Sequence, residues 1–168
     1  MAASFAIISL GCAKNLVDSE VMADRLLNAG FTKVEPEQAD ALIINTCAFI
    51  DPAKQEAIDT IFAATRAREA GEAPAAQKIL VAGCLSQRYA NDLVKLMPEV
   101  DCFIGVDKVL EVADITHACL TGTAEKAYST KVSKLMPDFG DTRYRLTGNH
   151  FAYVKIAEGC NHIASLFA

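Results

Sequence analysis

The chain has 168 residues, of which 52% are hydrophobic and 22% are charged, so the composition excludes a disordered chain and supports a folded core. Lysine and arginine number 16 against 21 for aspartate and glutamate, which gives a net charge of −5. A general nucleic-acid surface carries the opposite charge, so we expect no direct binding of RNA or DNA by this segment. No apolar run approaches the roughly 20 residues of a membrane span, and no basic residue precedes the apolar N-terminus as in a signal peptide. We therefore expect a cytoplasmic protein with no membrane partner.

Apolar strands and amphipathic helices alternate four times along the chain. The predicted strands cover residues 5–9, 41–45, 78–82 and 103–106, and the predicted helices cover residues 16–29, 51–68, 87–96 and 107–119. The strands are continuous apolar runs, which are typical of a parallel sheet covered by helices on both faces. The pattern predicts an α/β fold, namely a doubly wound parallel sheet of about four to five strands.

The periodicity weakens after this region, and we expect three parts in the chain. Residues 1–119 form the predicted first domain, residues 120–147 a linker, and residues 148–168 the short start of a second domain. Within that last part an apolar stretch at 150–156 predicts a new strand, which has no partner to bury it in the residues that follow.

Three of the six cysteines occupy the same position relative to a predicted strand. The sequences I-I-S-L-G-C, L-I-I-N-T-C and I-L-V-A-G-C end at Cys12, Cys47 and Cys84. Because parallel strands end at one edge of a sheet, and open α/β sheets bind ligands there, we expect these three side chains to converge. Predicted helices begin just after them, and the partial positive charge of helix N-termini favours thiolates and anionic ligands.

Converging thiolates suit zinc, copper(I) or an iron–sulfur cluster, and three ligands would leave one iron of a [4Fe–4S] cluster open. We favour a metal or cluster site. Catalytic or redox thiols and simple packing remain alternatives, since buried free cysteine is common. Cys102 and Cys119 do not share the register, and we expect both to be structural.

Four motifs in order resemble one enzyme family. They are S-L-G-C-A-K-N-L-V-D-S-E at 9–20, N-T-C-A-F-I-D-P-A at 45–53, V-A-G-C-L-S-Q-R-Y at 81–89 and Y-V-K-I-A-E-G-C-N-H at 153–162. Together they resemble the methylthiotransferases, a branch of the radical S-adenosylmethionine enzymes. The first motif is most similar to the branch that modifies an aspartate of small-subunit ribosomal protein twelve. Alternatives are a fragment of the sister branch, which modifies a transfer-RNA adenosine, and a non-catalytic flavodoxin-like binding module.

The resemblance implies an auxiliary [4Fe–4S] cluster on Cys12, Cys47 and Cys84, and a ribosomal protein or small ribosomal subunit as the partner. It also implies that Cys160 is the first ligand of a radical cluster, held by a C-x3-C-x2-C motif in a following α/β barrel domain. Here Ala164 and Phe167 stand at the other two ligand positions. The second [4Fe–4S] cluster and S-adenosylmethionine therefore belong only to the complete enzyme. We expect this chain alone to be inactive, with no catalytic residue of its own.

Several polar residues lie close to the cysteines. We expect Asn15 to cap the first helix and Asp18 and Glu20 to serve as acidic residues near its start. Asn45 and Thr46 either donate hydrogen bonds to cluster sulfurs or cap a turn. Other polar positions carry no site prediction: Arg68 on a solvated helix face, His162 in a solvated tail, and His117 and His150.

Overall fold

The computed structural model describes residues 2–128, 142–148 and 150–156. The strands are β1 (Ser4–Ser9), β2 (Thr32–Lys33), β3 (Ala41–Thr46), β4 (Lys78–Gly83), β5 (Cys102–Ile104) and β6 (Ala127–Tyr128). The α-helices are α1 (Ala13–Asn28), α2 (Asp51–Ala70), α3 (Cys84–Leu96) and α4 (Val112–Thr121). Two short 3-10 helices span Pro36–Gln38 and Val106–Glu111.

The strands form one open sheet in the order β2-β1-β3-β4-β5-β6, with every neighbouring pair parallel. Strand β3 lies inside the sheet, and all six of its residues are buried. The strand order changes direction at β1, because β2 lies on one side of it and β3 on the other. Open α/β sheets bind their ligands at the carboxyl ends of the strands beside such a switch point.

Helices cover both faces of the sheet, which confirms the predicted doubly wound α/β fold. Helices α1 and α4 pack on the face that contains Ile43, and α2 and α3 pack on the face that contains Ile44. Successive residues of a strand point to opposite faces, so an uninterrupted apolar run supplies both cores. Within the described ranges, no helix combines the length and apolarity needed to cross a membrane.

The sheet has six strands, more than the four to five that were predicted. The two additional strands, β2 and β6, have only two residues each, which is too short for an apolar pattern to reveal them. Strand β6 lies within the predicted linker and pairs with β5, so the sheet continues past residue 119 to Tyr128. The sheet thus includes residues that had been assigned to the linker.

The predicted strand at 150–156 is wrong, because these residues form no strand in the structure. A strand requires a neighbour to pair with, and none of the six strands pairs with this segment. The segment instead lies beside α1, where Lys155 contacts Asp18. Residues 157–168, which include Cys160, lie outside the described part of the chain.

Candidate metal centre

Three cysteines follow three strands that are neighbours in the sheet. Cys12 comes just after β1 and directly before α1, Cys47 directly follows β3, and Cys84 follows β4 as the first residue of α3. Because β1, β3 and β4 are adjacent and parallel, the three residues lie along one edge of the sheet. The N-termini of α1, α2 and α3 begin at the same edge and add their partial positive charge to it.

Two glycines allow the loops at this edge to approach each other closely. A Cβ atom at Gly11 would collide with the Cβ of Cys47 and lie 3.2 Å from its sulfur. A Cβ atom at Gly83 would collide with the carbonyl oxygen of Thr46. Both glycines also have positive φ angles, +84° and +98°, which other residues adopt only with strain. The Cys12 loop therefore touches the Cys47 side chain, and the residue before Cys84 touches the residue before Cys47.

The side chain of Asn15 joins all three loops. Its amide nitrogen donates hydrogen bonds to the carbonyl oxygens of Leu10, at 3.1 Å, and Thr46, at 2.8 Å. Its oxygen lies 4.0 Å from the sulfur of Cys84, within reach of a weak hydrogen bond from the thiol. Asn15 is almost fully buried, and it is the third residue of α1, whose N-cap is Cys12. The prediction that Asn15 caps the helix is wrong, because its side chain is taken up by the neighbouring loops.

Asn45 and Thr46 strengthen the same edge with bonds inside the protein. The Asn45 amide donates to the carbonyl oxygen of Asn15, at 2.8 Å, and to the hydroxyl of Ser19, at 2.9 Å. The Thr46 hydroxyl donates to the carbonyl oxygen of Ala82, at 2.6 Å. These bonds engage both amide hydrogens of Asn45 and the one hydroxyl hydrogen of Thr46. Neither expected role applies, since these donors link strands and helices and do not cap a turn or point to a cluster.

The three thiols differ in their access to solvent. Cys12 is exposed, Cys84 is partly buried, and Cys47 is 7% exposed. Cys12 borders a cavity of about 190 Å³ whose other walls include Leu16 of α1 and Tyr153. In residues 2–128, 142–148 and 150–156, no three cysteine, histidine or acidic side chains form a metal-binding group. Cys12, Cys47 and Cys84 thus follow adjacent strands but do not form such a group in the described structure.

Cys102 and Cys119 form a separate pair in the core. Both are buried in the cluster of residues between the sheet and helices α1 and α4. A hydrogen bond with the Cys119 thiol, together with burial, raises the pKa of the Cys102 thiol above its ordinary range. A buried, protonated thiol behaves as a small apolar side chain, in agreement with the structural role predicted for both.

Asp18 and Glu20 are not acidic residues of the first helical turn, as had been expected, because α1 begins at Ala13. They are 5% and 1% exposed and lie beyond the first turn of α1. Each contacts a basic side chain from the segment that follows β6, Lys155 for Asp18 and Arg143 for Glu20. These contacts, together with Asn15 and Tyr153, are features of the site that the sequence patterns did not reveal.

A comparison with protein-family models gives the chain its family. The family described as "Uncharacterized protein family UPF0004" matches residues 4–105, which include Cys12, Cys47 and Cys84. The chain belongs to this family. The UPF0004 domain is the N-terminal domain of the methylthiotransferases, as the motifs indicated.

Curated relatives of this UPF0004 chain share the methylthiotransferase name. The "Ribosomal protein uS12 methylthiotransferase RimO" of Akkermansia muciniphila is 52% identical over 158 residues, covering 93% of this chain and 35% of the relative. The protein of the same name from Opitutus terrae is 47% identical over 163 residues, with the same coverage of 93% and 35%. The Solibacter usitatus protein of the same name is 45% identical over 156 residues, which are 92% of this chain and 32% of the relative. The chain thus spans about a third of the length of these relatives.

The donor atoms at the sheet edge that carries the three cysteines fit an iron–sulfur cluster. Three thiols from adjacent strand ends are soft ligands of the kind that iron–sulfur clusters use. Helix N-termini at the same edge favour an anionic group. Cys12, which directly follows Gly11 at this edge, is the exposed member of the three.

Proposed function

We propose that the chain is the N-terminal, [4Fe–4S]-binding part of a methylthiotransferase that modifies ribosomal protein uS12. The names of the relatives support the reaction and the substrate. One structural observation supports the cluster, namely that Cys12, Cys47 and Cys84 follow the adjacent strands β1, β3 and β4. Three thiolate ligands from this edge would leave one iron without a protein ligand.

The chain's own residues prepare the ligand set in this proposal. Gly11 and Gly83 let the three loops meet, and Asn15 fixes the loops of Cys12 and Cys47 relative to Cys84. The partly covered thiols of Cys47 and Cys84 form the fixed side of the site, and the exposed Cys12 completes it. When bound, the cluster would hold the sulfur that the complete enzyme transfers.

The remaining parts of the proposal concern the complete enzyme. Cys160 would be a remnant of the radical-cluster motif, since Ala164 and Phe167 replace its two further ligands. This chain alone would then have no radical chemistry, and a second cluster and S-adenosylmethionine would act only in the complete enzyme. The residues from about 148 onward would begin the second, α/β barrel domain, and the partner would be uS12 or the small ribosomal subunit in the cytoplasm.

Anaerobic reconstitution with iron and sulfide tests the cluster assignment. We expect about four iron and four sulfide per chain and a visible absorption band near ~400 nm. A chain that takes up no iron under these conditions would contradict the assignment. A chain that binds one zinc ion tightly and no sulfide would favour a mononuclear thiolate site instead.

The substrate assignment needs a separate experiment in the source organism. Deleting the complete gene should remove the methylthio group from uS12, as measured by the intact mass of that ribosomal protein. An unchanged uS12 mass together with a loss of methylthioadenosine from transfer RNA would favour the sister branch.

A further inference from the structure

A segment after β6 lies along α1 and ends beside the cysteine edge. We call its described residues the strap, which comprises residues 142–148 and 150–156. The Thr142 hydroxyl donates to Asp24 in the second half of α1, at 2.6 Å, and Lys155 reaches Asp18 in the first half. The strap therefore runs along the helix toward the end that carries Cys12.

A buried ion pair holds the far end of the strap. The ammonium of Lys155 donates to both carboxylate oxygens of Asp18, at 2.8 Å and 3.2 Å. The Lys155 side chain is 5% exposed and that of Asp18 is 7% exposed. Removing one partner of such a pair leaves a buried charge without compensation, which is strongly unfavourable.

A second buried carboxylate holds the near end of the strap. The Glu20 side chain is 1% exposed, accepts a hydrogen bond of 2.9 Å from the backbone amide of Leu146, and lies 3.5 Å from the guanidinium of Arg143. The backbone carbonyl oxygen of Glu20 accepts a further bond, at 3.0 Å, from the amide of Tyr144. Glu20 thus pairs with both the charge and the backbone of the strap, so it fixes where along α1 the strap lies.

Tyr153 brings the strap into contact with the cavity at the cysteine edge. It is the strap residue that lines the cavity of about 190 Å³ beside Cys12 and Leu16. The Lys155–Asp18 pair lies only two residues further along the strap, so it anchors the backbone close to Tyr153.

We propose that Asp18 and Glu20 form an acidic seat that fixes the strap on α1 and thereby keeps Tyr153 in the cavity wall beside Cys12. Asp18, Glu20 and Tyr153 are positioning residues in this proposal. Charged contacts specify register, whereas apolar contact alone would allow the strap to slide. The proposal concerns the cluster-free chain as well, so it can fail or succeed independently of cluster binding.

Hydrogen exchange and thiol alkylation of the full 168-residue chain test this proposal. The variants are Asp18→Asn, Glu20→Gln, Lys155→Met and Tyr153→Ala. The control is Glu111→Gln, because Glu111 forms an exposed ion pair with Lys108, which is not a strap residue. We expect amides of the strap to exchange on the order of tenfold faster in the first three variants.

The same three variants should speed the reaction of Cys12 with N-ethylmaleimide in the cluster-free chain severalfold, while Cys84 reacts at an unchanged rate.

Tyr153→Ala tests the role of Tyr153 beside Cys12 separately from the role of the acidic seat. It should speed alkylation of Cys12 and leave the exchange of Tyr144 and Leu146 amides unchanged, since those amides bond to Glu20. If Asp18→Asn unfolded the helix, Lys155→Met would decide, because that substitution lies outside the sheet and its helices. If the strap amides of Lys155→Met exchanged at an unchanged rate, the acidic seat would be contradicted. If Cys12 of Tyr153→Ala were alkylated at an unchanged rate, the place of Tyr153 in the cavity wall beside Cys12 would be contradicted.

Discussion

The side-chain amide of Asn15 donates a hydrogen bond of 2.8 Å to the carbonyl oxygen of Thr46 and so connects the first turn of α1 to the residue before Cys47. The two residues are 31 positions apart in sequence. The same amide bonds to the carbonyl oxygen of Leu10, and the Asn15 oxygen faces Cys84. One buried side chain therefore sets the relative positions of the three loops that carry the cysteines.

We expect Asn15→Ala to lower the free energy of unfolding by about 1–3 kcal/mol, because it leaves carbonyl groups at the sheet edge without their donor. Urea unfolding measures the change. Asn28→Ala is the matched control, since the Asn28 amide makes an exposed hydrogen bond to the Asp24 carboxylate on the same helix, and it should cost less than about 0.5 kcal/mol. Equal losses in the two variants would contradict the role assigned to Asn15.

Gly11→Ala should destabilise the chain more than Gly30→Ala. Both glycines have positive φ, so each substitution incurs a backbone cost of roughly 1–2 kcal/mol. At Gly11 the added Cβ also collides with Cys47, whereas at Gly30 nothing lies within 4 Å of it. Thermal unfolding should show the larger loss for Gly11→Ala, and a melting temperature as high as that of Gly30→Ala would show that the two loops are not in contact.

Asp101→Ala should destabilise the end of the sheet opposite the cysteine edge, where β4 and β5 begin. The Asp101 carboxylate forms ion pairs with Arg68, at 3.0 Å, and Lys78, at 3.1 Å. It also accepts a hydrogen bond of 2.9 Å from the backbone amide of Ile79. We expect a loss of about 2 kcal/mol in the free energy of unfolding, reduced by the partial exposure of the group.

Glu111→Ala is the control for Asp101→Ala, because it removes an exposed ion pair with Lys108. It should change the free energy of unfolding by about 0–1 kcal/mol. If both variants unfolded at the same urea concentration, Asp101 would be an ordinary surface residue.

The cysteines of the native, cluster-free chain should react with iodoacetamide in the order of their exposure. Cys12 should react first, Cys84 next and the 7% exposed Cys47 more slowly. Cys102 and Cys119 should remain unmodified, because both are buried and the raised pKa of Cys102 keeps that thiol protonated. Peptide mass spectrometry over time measures the order, and rapid modification of Cys102 would contradict the packing of α4 on the sheet.

The main strands and the cysteine register could be predicted because they depend on local patterns. Continuous apolar runs predict buried parallel strands, and the cysteines stand at the ends of three of them. Parallel pairing then places these ends on one edge. The adjacency of β1, β3 and β4 could not be predicted from the runs alone, since strand order depends on how the helices cross over the sheet.

The remaining contacts of the site join distant parts of the sequence. Lys155 and Asp18 are separated by 137 residues, and neither belongs to a pattern that reveals its partner. Arg68 resembles a solvated residue on a helix face, yet it bonds to Asp101 at a distance of 33 residues. Such polar pairs are determined by tertiary packing, so the sequence suggested only exposed or capping roles for them.

Iron and sulfide content after anaerobic reconstitution of single cysteine variants tests the central claim most directly. Cys12→Ala, Cys47→Ala and Cys84→Ala should each lose most of the iron and sulfide that the unsubstituted chain binds, while Cys119→Ala, which removes a buried thiol away from the edge, should retain both. Full iron and sulfide content in Cys47→Ala, or an equal loss in Cys119→Ala, would contradict a cluster held by the three strand-end cysteines.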